Sequence, residues 1–294
     1  MHEFRVRVGP ASFRIGSHWR APIEQMRSLY ADYPTPDFVD FTVRLEAVSK
    51  LRRYFRPSVA INGDYMLPDA APLPLSQGLL AAEMGMNLQM ALGWRRQLIL
   101  HASAVERGGK ALIMTGASGS GKSTLSAMLG NDNLSAKNLG NKGWRFLGDE
   151  FALIDTASGD AVPYPRLISL KNEAIATMQA SAPDGHFGPL MQGTPKGDIR
   201  HLAPPKSAIE QMNIRAKPAL LLFPRFGYPA AIRDVAPGEV FMRLTQASTN
   251  YVALGEAGFH ALTRFVRDVP ARAIDYQNGG EAEELVAQLW DQLS

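Results

Sequence analysis

The stretch that most constrains this chain is Met114 to Leu129, MTGASGSGKSTLSAML. Gly116, four residues, then Gly121-Lys122-Ser123 fit the phosphate-binding pattern G-x-x-x-x-G-K-[ST]. An apolar run, Ala111-Leu112-Ile113-Met114, precedes it as a short buried strand would. A helix-compatible run, Ser123 to Leu129, follows it. In that setting Gly116, Ala117, Ser118, Gly119, Ser120 and Gly121 curl the backbone so that its N–H groups face a phosphate. The helix N-terminus adds favourable partial charge. Lys122 is expected to reach the β- and γ-phosphates and the Ser123 hydroxyl to join a Mg²⁺ shell, with Thr124 closing the ATP-binding stretch. The loop alone leaves phosphate transfer, hydrolysis and sensing equally open.

A second acidic group is needed near such a loop, and RFLGDEF supplies Asp149 and Glu150. Adjacent carboxylates on extended chain point to opposite sides, so one is expected to serve metal and the other to accept a proton. His101, in LILHASAV, lies between apolar residues, the ordinary setting of a core histidine. Its strand flanks the loop strand, and that proximity keeps a role at the phosphates open.

The remaining composition narrows the class. The chain has 294 residues, 46% of them hydrophobic and 20% charged, with no cysteine. Thiolate chemistry, disulfides and Cys-based zinc sites are thereby excluded. No apolar run approaches the roughly 20 residues of a membrane span, and the opening residues alternate like a strand without a signal peptide's apolar core. A cytoplasmic protein with no membrane partner is expected. The net charge of +3 does not argue for nucleic acid. Charge is uneven: Lys196, Arg200, Lys206, Arg215, Lys217, Arg225 and Arg233 face only Asp198 and Glu210, whereas the residues after Asp275 are acidic. A solvated basic face is the simplest account, with an anionic ligand as the alternative.

Patterning divides the chain into a 1–94 α+β module and a 95–294 domain holding the loop. The first part reads as a hairpin (FRVRVG, SFRIG), a short helix stopped by Pro34, a strand, and a second hairpin turning at Asn62-Gly63. A helix follows with an apolar spacing of Leu80, Met84, Leu88 and Leu92, its methionines filling core. In the second part Gly108-Gly109 turns one strand into the next, and NDNLSAKNLGNKG reads as an exposed connection. Later strands fall at RLISL, ALLLFPR and AAIRDV, and helices at GEVFMRLTQAS, AGFHALTRFVRDV and EAEELVAQLWDQL. PDGHFGPLMQGTPKGDIRHLAPP, with His186 and His201, reads as a long irregular binding loop. Trp94, Trp144 and Trp290 read as core or interface residues. The fold class is α/β with an α+β tendency, because strands near the loop outnumber the helices between them.

LHASAVERGGKALIMTGASGSGKST followed by GWRFLGDEFALID resembles the catalytic domain of the HPr kinase/phosphorylase family. The resemblance extends to the HPr-kinase-related kinase A proteins through PRLISLKNE, FGP…GTPKGDIRHLAPP and ALLLFPR. It covers roughly residues 95 to 235. It implies a PEP-carboxykinase-like P-loop core of mixed sheet with flanking helices, and ATP-Mg²⁺-dependent phosphorylation of a Ser/Thr hydroxyl on a small protein or peptide. Carried across, Lys122 is catalytic, Asp149 is the base and Glu150 the metal-side carboxylate, the two being exchangeable. His101 would lie near the γ-phosphate, and Lys171, Lys196 and Arg200 would belong to a substrate or phosphate loop. Ser169 stands where the family's Glu-x-Arg-Gly motif has Glu, so dephosphorylation is not expected. Related kinases assemble into rings, so a homo-oligomer is to be looked for. Two alternatives stand beside the protein kinase: a kinase for a small-molecule hydroxyl, and a nucleotide-gated accessory protein with little turnover.

Overall fold

Strands β1 (His2–Val8) and β2 (Ala11–Ser17) open the chain as an antiparallel hairpin whose last pair is Val8↔Ala11. A computed structural model of the protein describes residues 1–130 and 143–293; the expected connection NDNLSAKNLGNKG therefore lies almost wholly outside the described residues. At the hairpin tip Gly9 takes φ +51, and a side chain there would meet the Pro163 carbonyl at 2.1 Å. Helix α1 (Arg20–Leu29) carries Pro22 in its first turn and buries Ile23, Met26 and Leu29. Its apolar spacing matches one helical face.

Strand β3 (Phe41–Ala47) adds to the sheet parallel to β2 and antiparallel to β4 (Ser58–Gly63), and β5 (Leu73–Pro74) closes it. Asn62-Gly63 does not turn a hairpin. The strand runs through both residues, paired Arg44↔Asn62 and Val43↔Gly63. Asn62 donates to Glu46 Oε2 at 2.5 Å. Gly63 is needed for a close approach, since a Cβ would lie 2.6 Å from the Thr42 carbonyl.

Helix α2 (Gly78–Gly93) packs on this sheet, and its buried face is not the expected one. Leu79, Ala82, Met86 and Met90 are buried, whereas Met84 and Leu92 are exposed. The helix is apolar nearly all round, so spacing alone admits several stripes. The face is chosen by Gly85, where an added Cβ would sit 2.4 Å from Val43 Cγ1.

The second part begins with β6 (Gln97–Arg107) and β7 (Lys110–Thr115), joined by Gly108-Gly109 with both φ values positive. That is the two-residue turn a right-twisted hairpin prefers. Then come α3 (Lys122–Leu129), β8 (Arg145–Gly148), β9 (Phe151–Asp155), β10 (Ala161–Val162), β11 (Ile168–Lys171), α4 (Glu173–Ser181), β12 (Met191–Thr194) and β13 (Gly197–Leu202). The chain continues with α5 (Lys206–Glu210), β14 (Lys217–Phe226), β15 (Ala231–Asp234), α6 (Pro237–Ala247), α7 (Tyr251–Asp268), β16 (Ala271–Tyr276) and α8 (Gly279–Asp291). The main sheet runs β10-β9-β6-β7-β14-β16-β15, with β8 also on β6. Its centre, β7-β14-β16, is parallel, and its flanks are antiparallel.

Alternation along these strands feeds two layers. Leu112, Met114, Leu220 and Leu222 pack with α3 and α8, where Trp144 meets Trp290 at 4.5 Å. Ala111, Ile113, Leu221 and Phe223 pack with α6 and α7. The architecture is mixed α/β. Among the described residues no helix is long and apolar enough to cross a membrane.

The segment expected as a long irregular loop contains ordered strands. β12 and β13 form a hairpin across Pro195-Lys196, and β13 pairs with β11 in a three-stranded sheet. Glycines and prolines here shape turns. Leu167, Met191 and Ile199 join the same apolar cluster as α1, α2 and the first sheet, so α2 lies against β11–β13. Gly85→Ala tests the tightest contact: better helix propensity offers about 1 kcal/mol, but forcing α2 off β3 costs about 1–3 kcal/mol. A lowered urea midpoint with unchanged slope is expected.

Candidate active site

The glycine-rich loop 116–121 joins β7 to α3 at the carboxyl edge of the parallel strands, where open α/β sheets hold ligands. Gly119 and Gly121 sit at φ +81 and +94. A side chain at Gly121 would also meet the Tyr276 hydroxyl at 2.0 Å, and that hydroxyl donates to the Ser120 carbonyl at 3.3 Å. No side chain caps the first amides of α3, so they stay available to an anion. Ala117, Ser118 and Gly119 form the exposed tip, and Ser123 and Thr124 are half-buried. Ser120 Oγ is buried and unpartnered. Lys122 Nζ donates to the carbonyls of Gly116 and Ala117 at 2.8 and 2.9 Å. Burial lowers its pKa, with Asp149 and Glu150 opposing that shift.

Asp149 and Glu150 make the two-residue turn between β8 and β9, both of which pair with β6. Glu150 takes φ +66, a backbone that a non-glycine residue rarely holds and that turns successive side chains apart. Asp149 is 1% exposed. Its Oδ1 accepts from Ser103 Oγ at 2.6 Å and its Oδ2 from the Ser169 amide at 3.4 Å, and the Glu150 amide bonds the same carboxylate. The Ser123 hydroxyl also stabilises this carboxylate. Burial, then repulsion by Glu150, raises the Asp149 pKa.

Glu150 points the other way. Its Oε2 accepts from His101 Nε2 at 2.9 Å, and Oε1 lies 3.9 Å from Lys171 Nζ. The His101 hydrogen bond, opposed by burial and aided by the charges of His101, Lys171 and Lys196, holds Glu150 down at about 2. His101 is half-exposed, so it is not a core histidine. Thus Asp149, not Glu150, approaches Ser123.

Lys196 rides the β12–β13 turn, fixed by Thr194 Oγ1, which accepts from the Lys196 amide at 3.2 Å and donates to the Gly197 carbonyl at 2.6 Å. Arg200 is not brought to the site. Strand alternation sends Ile199 and His201 inward, while Arg200 donates to the Gly188 carbonyl at 2.8 Å and stacks on Phe187. His186 meets Ser28. The basic stretch does not form one open face either: Arg215 pairs with Asp155, and Arg225 and Arg233 share Asp275.

Beside the carboxylates lies a cavity of about 110 Å³, walled by α2 and by β11–β13. Its polar lining includes Asp149, Glu150, Lys171 and Lys196, Glu83 and Asn87 of α2, and Arg166 and His201. Arg166 is buried, bonded to Glu83 and Asn87, and Tyr30 donates to Glu83 at 2.8 Å. Glu83 lies outside every motif stretch, and Ser103, Arg166 and His201 lie within LHASAV, PRLISLKNE and GTPKGDIRHLAPP, whose pattern gives them no role of their own. Only Ser103 had a readable signal, since it shares a strand face with His101 two residues earlier.

The residues fit a nucleotide triphosphate: uncapped amides, a loop lysine and the orphaned Ser120 hydroxyl converge on one place. Among the described residues no cluster of three His, Cys, Asp or Glu groups forms a metal cage; a Mg²⁺ bound with phosphates would need only one or two carboxylates, and Ser123 could join them.

A depressed carboxylate contributes stability that is present above its unfolded pKa and is lost as pH falls through the folded one. For Glu150 that window runs from 4.5 down to about 2. His101→Ala should flatten the loss of stability across this window, read as urea midpoints at successive pH values; an unchanged slope would refute the His101–Glu150 linkage. No family model and no curated protein matches the chain.

Proposed function

We propose that the chain is an ATP-dependent kinase on a PEP-carboxykinase-like P-loop core, transferring the γ-phosphate to a Ser/Thr hydroxyl of a small protein or peptide. One observation carries this reading. The buried Asp149 stands between the loop residues Lys122 and Ser123 on one side and an acceptor-sized cavity on the other.

In this reading the α3 amides and Lys122 bind and neutralise the phosphates. Bound Mg²⁺ would supply charge neutralisation at the β- and γ-oxygens, with Ser123 and a carboxylate of the pair as its protein ligands. Asp149 Oδ1 accepts from Ser103 at 2.6 Å, and Oδ2, on the longer Ser169 contact, would take the acceptor's proton. A raised pKa suits a base, whereas the strongly ionised Glu150 suits holding cations and orienting His101. Lys171 and Lys196 would stabilise charge on the transferring group.

The test is transfer from γ-labelled ATP-Mg²⁺ into an extract of the source cell. Asp149→Asn should lower transfer at least 100-fold, the lower range for losing a general base, with the Kd for ATP-Mg²⁺ within threefold. Equal transfer by this variant would remove Asp149 from the chemistry. Tight ATP binding without any labelled product would instead support a nucleotide-gated accessory protein.

A further inference from the structure

We infer that the cavity between α2 and β11–β13 is the acceptor subsite, and that it takes a compact hydroxy acid: a hydroxyl and a carboxylate within one amino-acid residue. This rests on the kinase reading and narrows its acceptor.

Size is the first argument. The cavity's 110 Å³ is well under the roughly 300–1,000 Å³ of pockets for drug-sized ligands, which favours one compact organic unit over a larger group.

Buried polarity is the second. Arg166 and His201 are 3% and 2% exposed, both line the cavity, and Arg166 Nε and His201 Nδ1 have no hydrogen-bond partner. Native interiors rarely leave such groups unmet. Arg166 Nε can only donate, so it calls for an acceptor oxygen. Burial holds His201 towards its neutral form, able to bond without adding charge. Lys171 Nζ lies 3.9 Å from Glu150 Oε1, and the Lys196 charge also acts on Glu150. A carboxylate among Arg166, Lys171 and Lys196 leaves the neighbouring hydroxyl for Asp149.

The step then balances. The acceptor oxygen forms a bond to the γ-phosphorus as its proton passes to Asp149 Oδ2. The bond from that phosphorus to the β,γ-bridging oxygen breaks, and ADP leaves with the electron pair.

A free hydroxy acid and the C-terminal residue of a peptide share this chemistry, and four probes separate them. These are free L-serine, glycerate, a short peptide ending in serine, and the same peptide amidated at its C-terminus. Label from γ-labelled ATP is expected on at least one carboxylate probe and not on the amide. Label on the free acids alone identifies a small molecule; label on the peptide identifies a chain terminus.

Met84→Trp, from an exposed position of α2 that borders the cavity, should raise the KM of the labelled acceptor at least tenfold. Its Kd for ATP-Mg²⁺ should stay within twofold. Arg166→Lys, which keeps the charge and deletes Nε, should raise the same KM if it folds by circular dichroism. The inference is overturned if the amidated peptide is labelled as well as the free-acid peptide. It is also overturned if Met84→Trp leaves KM unchanged, or if wild-type protein that binds ATP-Mg²⁺ labels no carboxylate probe. Protein that binds no ATP-Mg²⁺ would bring down the kinase reading itself.

Discussion

Burying one carboxylate, Asp149, is the constraint around which the rest of the site is arranged. An ion taken out of water costs several kcal/mol unless it gains partners. Here the return comes from a short hydrogen bond from Ser103, the Ser123 hydroxyl and the nearby Lys122 cation. Ser103 lies on β6, whereas Lys122 and Ser123 are the first two residues of α3. The carboxylate position is therefore only as good as the packing of β6, β7 and β8, which is why the central strands are lined with fully buried Leu112, Ile113 and Phe146. The two neighbouring carboxylates resolve their repulsion by facing apart, Glu150 drawing on His101 and Lys171.

A second buried charge pair joins the two parts of the chain. Glu83 of α2 and Arg166 ahead of β11 bond inside a shell of Tyr30, Tyr33 and Tyr164. Burial raises the pKa of each of these tyrosines, with Glu83 adding to the shift. They therefore serve as neutral packing around the pair. Removing one member of such a pair is far costlier than the pair is worth, because the survivor stays charged and unpaired. The effect is to specify one seating of α2 over β11–β13. That seating makes the first 94 residues a wall of the cavity beside Asp149.

Local rules read the chain well where the backbone itself is constrained. Gly108-Gly109 turned a hairpin, and the loop followed its strand and opened its helix. The same rules failed where tertiary contact outweighs them. Asn62-Gly63 has the chemistry of a tight turn, yet pairing with β3 holds it extended, and Gln89 of α2 bonds the Tyr65 backbone just beyond it. The apolar circumference of α2 admits several stripes, and only Gly85 against Val43 selects one. Arg200 and His201 illustrate the period of a strand: adjacent in sequence, they face opposite sides, and the inward one is His201, not the arginine that charge singles out.

The glycine-rich loop between strand and helix, the acidic pair after it and the α/β class were legible in the sequence, because each depends on residues close together along the chain. Backbone freedom at glycine, charge at a turn and alternation on a strand are local properties. Only the tertiary structure decided that Ser103 holds Asp149, that His101 belongs to Glu150, and that Glu83 meets Arg166 across a span of 83 residues. Such pairings arise when desolvation forces distant polar groups to find one another, and no local pattern records which partner each will meet.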